Sequence, residues 1–191
     1  MLRSIFALIV IQILAACAFG ADAAKGPDVA YFTKLRFDYA AQKDFSPGWE
    51  IEGARQAVID AFKKGDNDKT KELGEAWLAK VPVDAEIYLV VALSRKNQGD
   101  LAGYCMDMAN FYGLLRSITS SGDGLSAKTA FKVIAVAEEY YLLRDVGAKL
   151  KQQSLVDGCD VMVVDQRGKE MTYYFDVHIA LQAEQRALGI K

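Results

Sequence analysis

The residues able to do chemistry in this chain are few, and their spacing decides against most of the chemistry. Gly122–Thr129, GDGLSAKT, differs at one position from the phosphate-binding pattern G-x-x-x-x-G-K-[ST], with Ala127 in place of the last glycine. The apolar run VMVVD, closing on Asp165, looks like its usual partner. A phosphate loop needs a strand before it and a long helix after it, because backbone N–H groups and the helix N-terminus hold the anion together. Here a helical pattern precedes the loop and the short β-branched run AFKVIAV follows. The segment therefore reads as a turn. Gly122 would end a helix in the left-handed conformation, Asp123-Gly124 would turn the chain, and Ser126 would cap one short helical turn.

Other candidates fail similar tests. DNDKT at 66–70 resembles the start of a calcium loop, but Lys71 stands where the glycine is needed and Trp77 where the terminal glutamate is needed. His178 is the single histidine, which rules out a multi-histidine metal site. Glu138 and Glu139 are adjacent, so they point about 100° apart on a helix and to opposite faces on a strand, and cannot share a substrate locally. One of them is expected to pair with Arg36 or Arg144 as a structural ion pair. No catalytic residue, metal or cofactor is assigned, and the chain is expected not to be an enzyme. Cys105 and Cys159 leave two alternatives: a disulfide, or a buried thiol at Cys105 in a stripe with Leu101, Met108 and Leu115.

Composition narrows the partners. The 191 residues are 52% apolar and 25% charged, enough for a proper core, with a formal charge of -2. That balance provides no field for a phosphate backbone, so nucleic acid is not an expected partner. Residues 1–20 read as a signal peptide: Arg3 is the positive region and IFALIVIQILAA a run of about 12 apolar residues, too short to span a bilayer. Two cleavage readings stay open. LAAC offers Cys17 for lipid acylation, and AFG before Ala21 or ADA before Ala24 suits ordinary signal peptidase. The chain is thus expected in the periplasm or as an outer-membrane-anchored lipoprotein. Any membrane contact would come only through that anchor.

The elements that must position these residues follow from periodicity. Gly-Asp recurs at 65 and 99, an offset of 34 residues, each time between two helical stretches. The spacing predicts helices over about 51–64, 68–80, 85–97 and 101–119. Ile51, Ala54, Ala57, Val58, Ala61 and Phe62 would form the inner face of the first. The segment with Tyr31, Leu35, Phe37 and Tyr39 reads as an N-terminal cap helix. After Gly124 the period drops to two: FKVIAV, AKLKQQSLV, CDVMVV and MTYYFDV read as strands, the last two as a hairpin, and ALQAEQRALG returns to helix. The fold class is α+β: antiparallel helix pairs over about 28–120, a small antiparallel sheet over about 130–178, and a helical tail over 179–191. Residues 28–178 form one domain, with the helical part at 28–120 and the β part at 121–178.

The two helical units resemble degenerate tetratricopeptide repeats in their Gly-Asp turn, the small residue Ala92 and the closing Pro82. Thr70, Tyr104, Trp77 and Phe111 depart from that pattern, because small alanines are expected there. The wider chain resembles the bacterial domain of unknown function DUF4919, through YFTKLRFDY, SSGDG followed by KTAFKVI, EEYYLL and the closing YYFDV. That resemblance implies an exported or lipid-anchored protein with helical repeats ahead of a small sheet, and no activity. The expected function is a non-enzymatic module that binds another envelope or secreted protein or peptide in the groove of its repeats. The alternative is a small-ligand binder or hydrolase with a carboxylate site at the junction of helices and sheet. Arg36, Tyr39, Asp123, Glu138, Glu139, Tyr140 and Asp176 are the candidate surface residues.

Overall fold

A computed structural model describes residues 28–189. The expected signal peptide and the lipidation candidate Cys17 lie outside them. Helix α1 (Val29–Ala40) starts where the Asp28 carboxylate accepts the N–H groups of Ala30 and Tyr31. It buries Phe32, Arg36 and Tyr39, and Tyr39 packs edge-to-face on Phe45 and Trp49 at 5.6 and 5.9 Å between centroids. A 3-10 turn at Trp49–Ile51 leads into α2 (Gly53–Lys63), α3 (Asn67–Leu78), α4 (Ala85–Asn97) and α5 (Leu101–Thr119).

The 34-residue repeat has a local cause. Gly65 and Gly99 take φ of 75° and 79°, and the next residue, Asp66 or Asp100, caps the following helix by accepting the N–H of Lys69 or Gly103. The same corner is built twice. Helices α2 to α5 pack in sequence, and α1 returns onto α5. Gly74 lets α3 approach α4 closely: a Cβ there would lie 2.3 Å from Val91 Cγ2.

The inner face of α2 matches the expected one in Val58, Ala61 and Phe62 and departs from it elsewhere. Ile51 is outside the helix and exposed, Ala54 and Ala57 are exposed, and Arg55, Val58 and Ala61 point inward. Helix α2 opens the stack with a neighbour on one side only, so a narrow stripe suffices, and Arg55 sits inside it because it has buried ionic partners. On α5, Leu115 of the stripe expected around Cys105 is buried and Met108 half-buried, whereas Leu101 is exposed; Tyr104, Phe111 and Ile118 complete the buried face.

The sheet comprises β1 (Phe131–Lys132), β2 (Ala148–Val156), β3 (Cys159–Gln166) and β4 (Lys169–Asp176), in the order β1-β4-β3-β2. The pairs β2/β3 and β3/β4 are antiparallel, joined by tight turns at Asp157-Gly158 and Arg167-Gly168, all four residues at positive φ. The β1/β4 pair is parallel, which corrects the expectation of a purely antiparallel sheet. FKVIAV, expected as a strand, is one for only two residues. Helix α6 (Val136–Asp145) then begins, and its third residue, Glu138, reaches back to accept the N–H of Ile134. That return hydrogen bond does the work of half a capping box and ends the strand. Helix α7 (His178–Ala187) follows β4 and buries Ala180 and Ala183. One continuous apolar core runs from Phe32 through Val58, Ile87 and Leu114 to Met162, Phe175 and Ala183.

Candidate functional site

The candidate residues divide into three buried ionic groups and a surface. Arg36 of α1 is 0% exposed. Its Nε donates to Glu138 Oε1 at 2.7 Å and its Nη2 to Glu138 Oε2 at 2.5 Å. Its Nη1 donates to Ser117 Oγ on α5 at 3.1 Å and its Nη2 also to the Lys132 carbonyl of β1 at 2.9 Å. This is the structural ion pair expected from the sequence, and it ties α1, α5, β1 and α6 together. Arg144 is engaged elsewhere.

The second group could not be foreseen from the sequence. Arg55 Nε donates to Asp84 Oδ2 at 2.7 Å, and its Nη2 to Glu86 Oε2 at 2.6 Å and to Tyr141 Oη at 2.9 Å. Asp84, wholly buried, also accepts Trp77 Nε1 at 2.9 Å, the Tyr141 hydroxyl at 3.1 Å and the Ile87 N–H at 3.3 Å. Arg144 closes the network on Glu86 at 2.6 Å. Burial, and then the charge of Asp84, push the Tyr141 hydroxyl well above its ordinary range, so it stays a donor. The one signal available was a charged residue, Arg55, three residues before buried Val58. Through Tyr141 and Arg144, α6 lies across the N-terminal ends of α2 and α4, the helices expected to line a groove.

The third group is Glu139, 0% exposed, with neither carboxyl oxygen meeting a hydrogen-bond donor among the described residues. What faces it is the carboxyl of Asp160 on β3. Asp160 is itself held by Gln153 Nε2 of β2 at 2.7 Å, and Gln153 Oε1 accepts the Tyr140 hydroxyl at 2.9 Å.

The seven expected surface residues are therefore not one surface. Arg36, Tyr39, Glu138 and Glu139 are buried. Asp123 is exposed and accepts Leu125 N–H at 2.9 Å, and Asp176 holds His178 Nδ1 at 2.7 Å. Only Tyr140, 43% exposed, and the two aspartates reach solvent. The four carboxylates of the alternative site do not converge: Glu138 is held by Arg36, Asp123 by the Leu125 N–H and Asp176 by His178, while Glu139 meets no donor among the described residues. Cys159 is free and buried, so the disulfide considered between Cys105 and Cys159 is absent. In the GDGLSAKT segment several amides are spent within the turn itself: Gly124 N–H donates to the Thr129 carbonyl at 2.8 Å and Thr129 N–H to the Ser126 carbonyl at 3.1 Å. The left-handed residue is Gly124 rather than Gly122, and the side chain of Ser126 makes no cap to the 3-10 turn Ala127–Thr129. Among the described residues no group of three or more His, Cys, Asp or Glu could hold a metal, and no helix is long and apolar enough to cross a membrane.

Two features of the sheet were missed. Strand β2 is the open edge and is exposed along eight of its nine residues, with Leu155 56% and Val156 52% exposed. Beside it, two surface depressions of about 450 and 530 Å³ flank Arg167, with Lys169 in one and Lys149 and Lys151 in the other. AKLKQQSLV alternates poorly because neither of its faces is covered.

The sequence model of the family described as Domain of unknown function (DUF4919) matches residues 29–186. No curated protein and no solved structure matches the chain. The matched span runs from the first turn of α1 to the last of α7 and includes all three ionic groups and the open edge strand, so the chain belongs to the DUF4919 family.

Proposed function

We propose that this protein is an exported, non-enzymatic module of the bacterial envelope that binds an extended segment of another protein by adding it as a strand to the open edge of the sheet. The observation that carries the reading is β2, a nine-residue edge strand with a row of unpaired backbone groups and two exposed apolar side chains near its end. Edges of this length are normally blunted. The first half of β2 is blunted, by Lys149, Lys151 and a bulge between Leu150 and Gln152, but the stretch from Gln153 to Val156 carries no such device. An apolar, extended partner segment fits that stretch. In this reading the helices act as its scaffold, with α6 tied to the starts of α2 and α4 through Tyr141 and Arg144. Export is supported by Arg3 and the apolar run that follows it.

The test is a photo-crosslinking amino acid placed at Gln152, at Leu155, or at the exposed Met106 on α5, in cells that make the protein naturally. The reading expects one adduct of defined mass from Gln152 and Leu155 and none from Met106. An adduct of twice the chain mass would identify a second copy as the occupant, and equal labelling from all three sites would refute strand addition.

A further inference from the structure

We infer that Glu139 and Asp160 hold one shared proton, which locks α6 onto β3 and makes the seam between helices and sheet a pH-sensitive joint. The geometry is specific. A carboxyl with no solvent exposure and no donor to either oxygen cannot remain ionised against a second carboxylate without large cost. Protonated, Glu139 becomes a donor, and the group facing it is the acceptor Asp160. Asp160 is kept as the acceptor by the Gln153 amide, and Gln153 is in turn anchored by the partly exposed Tyr140, a chain of hydrogen bonds reaching solvent.

Among the other charges near α6, Asp145 lies exposed at its end, and the rest have partners. Glu138 on the same helix is paired with Arg36 of α1; Asp84 and Glu86, from the start of α4, are held by Arg55 and Arg144; and β2 offers the neutral Gln153. Glu139 has no cation to call on. Burial first, then the Asp160 charge and to a lesser degree Glu138, push its carboxyl up to about 9. The folded state thus binds this proton more tightly than the unfolded chain, whose glutamates titrate at about 4.3. Stability from this pair is complete at the acid end and is lost as pH rises between those values, by at most about tenfold in the folding equilibrium per pH unit.

The experiment is equilibrium unfolding of the full chain and of Glu139→Gln across pH 5 to 9, with infrared detection of protonated carboxyl at neutral pH. The expected results are a wild-type folding equilibrium that weakens steadily as pH rises, a slope removed in Glu139→Gln, and a protonated-carboxyl band present in the wild type and missing from the variant. If Glu139→Gln does not fold, Asp160→Asn serves: removing the facing charge should move the transition to lower pH. A wild-type profile that is flat, a slope that persists in Glu139→Gln, or a midpoint unmoved in Asp160→Asn overturns the shared proton.

Discussion

Glu138 and Glu139 adjoin in the chain, yet one is clasped by Arg36 at 2.7 Å while the other faces a second carboxyl with no donor in reach. The roughly 100° between neighbours on a helix sends one toward the helical half and the other toward the sheet. Helix α6 thus carries an ionised seam on one side and a protonated seam on the other.

The ionised seam predicts an asymmetric mutational response. Glu138→Ala leaves Arg36 buried and uncompensated and should lower stability by about 3–5 kcal/mol in urea unfolding. The double variant Arg36→Met with Glu138→Leu removes both charges and should recover much of that loss. A double variant no more stable than Glu138→Ala would mean that the contacts with Ser117 and Lys132, rather than the charge pair, carry the seam.

Asp84 is the acceptor for Arg55, Trp77, Tyr141 and the first turn of α4. Asp84→Asn keeps the shape but replaces one accepting oxygen with a donor, leaving buried donors unmatched. The expected loss is about 3 kcal/mol or more. Trp77 fluorescence should also change, since its indole N–H loses its partner.

Gly74→Ala should destabilise, against the usual trend. Alanine is favoured over glycine inside a helix by about 1 kcal/mol. Here the added Cβ would stand 2.3 Å from a Val91 methyl, on a β-branched side chain with little freedom to turn away. Overpacking of this sort costs about 1–3 kcal/mol, so thermal denaturation should show a lower midpoint.

How far the sequence reveals this molecule depends on the range of the interaction concerned. The Gly-Asp corners and the β3–β4 hairpin are set by residues within a few positions of each other, and they are legible. The ion pair was legible only as a choice, one of Glu138 and Glu139 with Arg36 or Arg144, and the burial of Arg36 was not. The Arg55–Asp84–Tyr141 network joins residues 29 and 86 positions apart, and no periodicity carries that information. FKVIAV misleads because its β-branched composition is overridden by one side chain, Glu138, that turns the chain into a helix. The open edge was invisible because exposure on both faces of a strand depends on which neighbours are missing, which is a property of topology.

Strand addition at β2 is the central claim, and amide hydrogen exchange over residues 148–157 tests it most directly, comparing the purified protein alone with the same protein in native envelope extract. Strand addition should slow exchange in this segment alone, most strongly over 152–156, with α2 to α5 unchanged. Binding that protects the helices and leaves 152–156 exchanging as freely as in the isolated protein would contradict it.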